Sequence, residues 1–257
     1  MKFSWFWLAL KVLGGLVLLF VVAPLVGMAL HTTFPSLVAA GRDSEVTSSI
    51  WLTIWVSMMA TLFFALLGIP LAFVLARKEF PFKSLVQCIV DMPVVIHHSA
   101  AGIALLGFIS RDSSLGKVAS LAGLDLVGHP LGIAIAMAFV SIPFLVNAAR
   151  DGFTMVPERY EKAALTLGAT PIRVFFTISV PLAWRSIVSG MVMMFARGMS
   201  EFGAVIIVAY HPMVAPVLVY ERFSTFGLAY SRPAALLFIL VSLVVFVSVR
   251  LLMRKKH

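Results

Sequence analysis

The chain has 257 residues, 61% of them hydrophobic and 12% charged, with a net charge of +9 and a single cysteine. Together with a mean hydropathy of +1.04, this lies far outside the range of soluble domains and identifies an integral membrane protein. About 20 apolar residues cross a hydrocarbon core of roughly 30 Å, so this length holds about six crossings and no sizeable soluble domain, and lone Cys88 excludes an internal disulfide or a CxxC redox or metal motif.

The apolar runs predict crossings over about 7–30, 50–76, 84–109, 130–149, 183–209 and 233–252. Ten-residue alternating segments of the kind a barrel needs are absent. The expected fold class is therefore an all-α integral membrane protein. Lys2 before the first run resembles the start of a secretory signal, but the run reaches about 23 residues, Pro24 interrupts it late and no small-x-small cleavage site follows. Residues 1–47 read as an uncleaved first transmembrane helix and an outer loop.

Cation placement sets the expected orientation, because short loops rich in Lys and Arg stay in the cytoplasm. With the N-terminus inside, thirteen cations from Lys2 to Lys256 face the cytoplasm against Glu79, Asp151, Glu158 and Glu161, which accounts for the net +9. The outer loops balance Arg42, Arg111, Lys117, Arg222 and Arg232 against Asp43, Glu45, Asp112, Asp125 and Glu221. Both termini are expected in the cytoplasm of a multi-pass protein of the cell (plasma/inner) membrane. Topology also explains the pI of about 10.1, so no nucleic-acid partner is implied.

In the third predicted span, His97 and His98 precede Ser99. Adjacent helical residues point about 100° apart and do not share one metal, so no metal site is expected. Polar lining near a kink at Pro93, with His98 and Ser99 as pathway candidates, stands beside plain interhelical packing. Intramembrane hydrolysis would need a nucleophile and base brought together by the fold, and neither GxSxG nor HExxH occurs.

Between the fourth and fifth spans lies a polar insert, EKAALTLGATPIRVFFTISVP, at Glu161–Pro181. Pro157, Glu158 and Glu161 suit a helix start and Gly168 a stop, which predicts one short helix over about 157–167. Thr170 then caps a second turn opening at Pro171. Ala163, Ala164 and Gly168 leave one flank nearly bare, open either to the protein's own helices or to a soluble partner.

In the fifth span Arg197 and Glu201 stand four apart and can neutralise each other on one face. They read either as a self-satisfied pair that orients the helix or as pathway-lining groups in which Arg197 attracts an anion and Glu201 prevents its trapping. Gly190, Gly198 and Gly203 suit close helix packing, including across a dimer seam. The methionines of the second and fifth spans spread around their helices as core filler. Residues 210–232 are too short and broken for a crossing and predict a re-entrant or surface loop, with Tyr220, Glu221 and Arg222 as an outer gate and docking surface.

The insert resembles the cytoplasmic signature of binding-protein-dependent ABC importer permeases, Glu-Ala-Ala, three residues, Gly, nine residues, Ile, one residue, Leu-Pro. Ala163, Ala164, Gly168, Ile178 and Pro181 fall in register, while Lys162 and Val180 depart from it. ARGMSEFGAVIIVAYHPMVAPVLVYERF at 196–223, PLAFVLARKEFPFKS at 70–84 and DMPVVIHHSAAGIAL at 91–105 are similar to molybdate and tungstate permeases, with sulfate permeases more distant. His97 departs from the Pro those relatives tend to carry.

The resemblance implies an ABC type-1 permease core over 48–252, a cytoplasmic tail at 253–257 and a coupling helix between the fourth and fifth helices. It implies a homodimer that imports molybdate or tungstate oxyanions from an extracytoplasmic binding protein. Two ATP-binding subunits would dock on Glu161, Lys162, Ala163, Ala164 and Gly168. This chain would bind no cofactor; ATP and Mg would be used by the partner ATPase, in keeping with the absence of a GxxxxGK[ST] loop here. The alternatives are a sulfate/thiosulfate ABC permease and an ion-coupled secondary transporter with Arg197 and Glu201 as its relay, although no internal repeat supports the latter.

Overall fold

The computed structural model describes residues 5–121 and 123–254. Among them every regular element is helical: α1 (Trp5–Leu30), α2 (Phe34–Arg42), α3 (Ser44–Arg77), α4 (Lys83–Val95), α5 (His98–Ile109), α6 (Ser114–Leu121) and α7 (Pro130–Met155). Then follow α8 (Glu158–Thr166), α9 (Pro171–Val174), a π-helical turn (Phe175–Ser179), α10 (Val180–Met199), α11 (Gly203–Val208), α12 (Ala215–Phe226) and α13 (Leu228–Arg254). Residues 255–257 of the expected tail lie outside the described residues.

Among the described residues five stretches are long and apolar enough to cross a membrane: α1, α3, α7, the continuous run Pro171–Met199, and α13. The expected third crossing over 84–109 is not one helix, since α4 and α5 meet at 112°. Ile96 and His97 leave helical ψ for 135° and 132°, and the His97 side chain accepts a hydrogen bond from the Ser99 amide at 3.4 Å, restarting the helix. Pro93 lies three residues before that break, so the bend expected at the proline is displaced onto the histidine.

The fifth crossing is shifted as well. It begins at Pro171 instead of 183, because the π-helical turn joins the polar insert continuously to α10. It stops at Met199 instead of running to 209, because Glu201 accepts the Ala204 amide at 3.0 Å and starts the separate short α11. The second crossing gains a turn at its N-terminal end, where Asp43 caps α3 by accepting the Glu45 amide at 2.9 Å.

The centre of the bundle is α3, α7 and α10. Ala60, Ala65, Ala138, Leu145 and Met194 form one buried cluster between them. At Gly190 an added Cβ would lie 2.9 Å from the Ala148 Cβ and 3.1 Å from the Leu145 Cα, so only glycine allows α10 this close to α7. Gly198 likewise faces Met137, Ser141 and Ser57, and Gly203 faces His98. These glycines serve packing within the chain. α1 has no buried residue and its nearest neighbour is α13, the behaviour of a helix apolar all round and facing lipid or another chain.

Candidate functional site

The polar insert folds into a knuckle close to its expected form. α8 spans Glu158–Thr166, Gly168 leaves it at φ +87, and Thr170 accepts the Arg173 amide at 3.3 Å to cap α9. A left-handed φ favours glycine because a Cβ would crowd the following carbonyl.

The two faces of α8 differ sharply. Glu161 is 8% exposed; its carboxylate accepts Arg77 Nη2 at 2.8 Å and Nε at 2.9 Å, and the Ser179 hydroxyl at 2.9 Å. Arg77 Nη2 also donates to the Val156 carbonyl at 2.8 Å. The last turn of α3, the end of α7, α8 and the π-helical turn are thereby tied at one point. Placing Glu161 on the docking face is corrected: its side chain points into the chain's own bundle, because Arg77 offers a buried carboxylate a fork of donors there.

The opposite face carries Lys162, Ala163 and Gly168, all exposed, with Ala164 half-buried. Leu167 is 87% exposed, and Tyr160, Leu165 and Ile172 are exposed beside it. Lys162 donates to Glu158 at 2.8 Å across one turn, and that hydrogen bond holds the Glu158 carboxyl below its ordinary range. An apolar patch rimmed by charge on a polar insert has the character of a protein interface.

A second constellation lies within the membrane span, where the break before α11 meets the break before α5. Arg197 Nη2 is 2.8 Å from Glu201 Oε2, as the four-residue spacing predicts. The same nitrogen lies 3.0 Å from His98 Nε2 and 3.3 Å from Nδ1. Glu201 is 1% exposed and its other oxygen holds the Ala204 amide. A Cβ on Gly203 would lie 2.7 Å from the His98 Cβ, so the bare glycine admits the histidine. Of the four pathway candidates, His98, Arg197 and Glu201 come together; the Ser99 backbone amide belongs to the turn capped by His97.

At the N-terminal end of α3 Arg222 is buried, which corrects its place on an exposed docking surface. Its Nη2 pairs with Asp43 at 2.7 Å and Glu45 at 2.9 Å, and its guanidinium lies 5.5 Å from the centroid of the Tyr230 ring. The Arg222 hydrogen bond lowers the Asp43 pKa, against the opposing effect of burial. Of the proposed surface Tyr220 is exposed and Glu221 partly so. α12 is further fixed by Thr53, whose hydroxyl accepts the Ala215 amide at 2.8 Å while donating to the Ser49 carbonyl at 2.6 Å.

Sequence reasoning missed Arg77, Ser179, Asp43, Glu45 and Thr53 as partners. Ser49, Thr53, Ser57 and Thr61 do recur every fourth residue, all buried, and that polar stripe along an apolar helix was a readable signal.

A family profile described as binding-protein-dependent transport system inner membrane component matches residues 11–257. The molybdate/tungstate transport system permease protein WtpB of Methanocaldococcus jannaschii is 39% identical over 249 residues, covering 97% of each chain. The WtpB of Thermococcus kodakarensis is 45% identical over 224 residues, 87% of this chain and 81% of that one. The sulfate transport system permease protein CysT of Synechocystis is 30% identical over 200 residues, 76% of this chain and 70% of that one.

Among solved structures, a chain of a bacterial ABC transporter involved in alginate import superposes with a TM-score of 0.75 at 17% identity, covering 98% of this chain and 96% of that chain. A chain of the MetNI methionine ABC transporter, in an inward-facing conformation, reaches 0.62 at 15% identity, covering 82% of this chain and 96% of that chain. The all-helical architecture is that of ABC type-1 permeases, and the chain belongs to the family of binding-protein-dependent transport system inner membrane components.

Proposed function

We propose that this chain is the permease of an ATP-driven importer for molybdate and tungstate, working as a homodimer with both termini in the cytoplasm. Two separate ATP-binding subunits seat on the α8 knuckle, and an extracytoplasmic binding protein delivers the oxyanion. The observation that carries this reading is the division of α8 into a face locked by Arg77 and Glu161 and an exposed face of Ala163, Gly168 and Leu167. A lever needs one side fixed to the moving body and the other free for its driver. The high identity to molybdate/tungstate permeases supports the choice of anion.

Alternating access follows by rigid-body rocking: closure of the ATP-bound partners pushes α8, and the Arg77–Glu161 tie passes that motion to α3, α7 and α10. Nucleotide must favour one conformation by several kcal/mol for the cycle to run uphill. The test is uptake by vesicles holding the assembled transporter. ATP-dependent molybdate uptake blocked by Gly168→Trp, in a chain that still inserts, supports the reading. Normal uptake by that variant, or uncoupler-sensitive uptake without ATP, overturns it. Sulfate outcompeting molybdate would move the assignment to a sulfate permease.

A further inference from the structure

The His98–Arg197–Glu201 cluster has a direction that the ion pair alone does not require. The Glu201 side chain is 1% exposed, Arg197 23% and His98 45%. The anion is therefore at the back and the cationic and imidazole groups are at the front. Gly198, one residue from Arg197, packs against Met137, Ser141 and Ser57, all interior to the α7 and α3 spans, which puts the cluster at membrane depth. Polar groups exposed there face water or protein, since lipid would penalise them.

Donor use points the same way. Both Glu201 oxygens are occupied, Oε1 by the Ala204 amide at 3.0 Å and Oε2 by Arg197 at 2.8 Å. A guanidinium has five N–H donors, and Nη2 carries the short contacts; Nη1 reaches the exposed Ser200 hydroxyl at 3.5 Å, the limit of a hydrogen bond. Nη2 also spans both ring nitrogens of His98 instead of sitting on one lone pair. Two breaks in the helices meet at this spot, the arrangement by which discontinuous membrane helices hold ligands.

We propose that His98 and Arg197 form a transient binding station for a tetrahedral oxyanion in the translocation pathway, with Glu201 as a built-in counter-charge. Arg197 offers outward N–H donors to the anion's oxygens, and the His98 ring supplies a second contact. Glu201 keeps the resting site neutral, so the anion is held weakly enough to leave. This rests on the oxyanion-importer reading and adds where within the chain the anion pauses.

The experiment uses the complete transporter in vesicles, with molybdate as the transported anion and ATP hydrolysis measured in parallel. The decisive variant is the neutral pair Arg197→Gln/Glu201→Gln, which keeps a hydrogen-bonding pair of similar volume and leaves no buried carboxylate unpartnered. His98→Gln is the second variant, and co-purification of the ATP-binding subunits checks assembly. The station predicts that both variants assemble and hydrolyse ATP while maximal uptake falls about tenfold or more, the scale of one lost charge-assisted hydrogen bond. Wild-type uptake by the double Gln variant would reduce the cluster to a structural ion pair and overturn the station. If the double variant does not assemble, His98→Gln decides: uptake at the wild-type rate overturns the station, and loss with ATP hydrolysis retained supports it. Absence of ATP-dependent molybdate uptake in the wild-type protein would instead overturn the importer reading itself, so the two failures are separable.

Discussion

Arg77 and Glu161, 84 positions apart, meet through contacts of 2.8, 2.9 and 3.1 Å with both side chains nearly buried. This pair fastens α8 to the last turn of α3, and Ser179 joins it from the π-helical turn. Ser179 is the last residue of that turn, a rare element found mostly as a single turn inside α-helices.

Removing one member of a buried ion pair costs about 3–5 kcal/mol, because the other charge is left uncompensated. Arg77→Ala is expected to lower thermal stability in detergent by that order and to separate ATP hydrolysis from uptake, with hydrolysis persisting while transport falls. Glu161→Gln keeps an acceptor oxygen but leaves the buried Arg77 charge uncompensated, so it should destabilise in the same direction. Coupled transport at the wild-type rate in Arg77→Ala would show that motion passes elsewhere.

Gly168 presents two separable costs. Its φ of +87 makes Gly168→Ala costly by about 1–2 kcal/mol, while nothing beyond its immediate chain neighbours lies within 4 Å of the added Cβ. Alanine should therefore reduce uptake only slightly, whereas tryptophan should abolish it by obstructing a docked partner. Affinity of the purified ATP-binding subunit for each variant measures the difference; equal affinity would place the partner away from Gly168.

The clamp of Arg222 on Asp43 gives a pH prediction. Asp43 has its pKa lowered from 3.8 by Arg222 in the folded chain, so its stabilising contribution is complete above that ordinary value. It is lost as the pH falls through the lowered one. Thermal stability contributed by the clamp should be flat from neutrality down to about pH 5 and decline in strong acid, and Asp43→Asn should remove that decline. Protease sensitivity of residues 210–232 reports the same loosening, and Arg222→Glu should expose the segment at all pH values.

Thr53 satisfies a backbone donor that helix α12 cannot satisfy by itself. Thr53→Val keeps the shape and deletes the acceptor, leaving the Ala215 amide buried and unpaired at a cost of about 1–3 kcal/mol. A melting temperature unchanged from wild type would show that the amide finds another partner.

What the sequence determined by itself was whatever rests on local chemistry and composition. Hydropathy identified a membrane protein with about six crossings, Gly168 and Thr170 marked the break between the two helices of the knuckle, and the four-residue spacing of Arg197 and Glu201 already implied their pairing. Those features depend on residues within a turn or two of each other. Tertiary structure decided what depends on distance along the chain. It turned Glu161 inward, because Arg77 waits there with a fork of donors, and it drew Arg222 into the protein, because Asp43 and Glu45 begin a helix beside it. It also split the third and fifth crossings, where His97 caps α5 and Glu201 accepts the Ala204 amide, bringing His98 to Arg197 across 99 positions. A hydropathy window averages over such caps, and a charge in sequence does not say which distant charge will meet it.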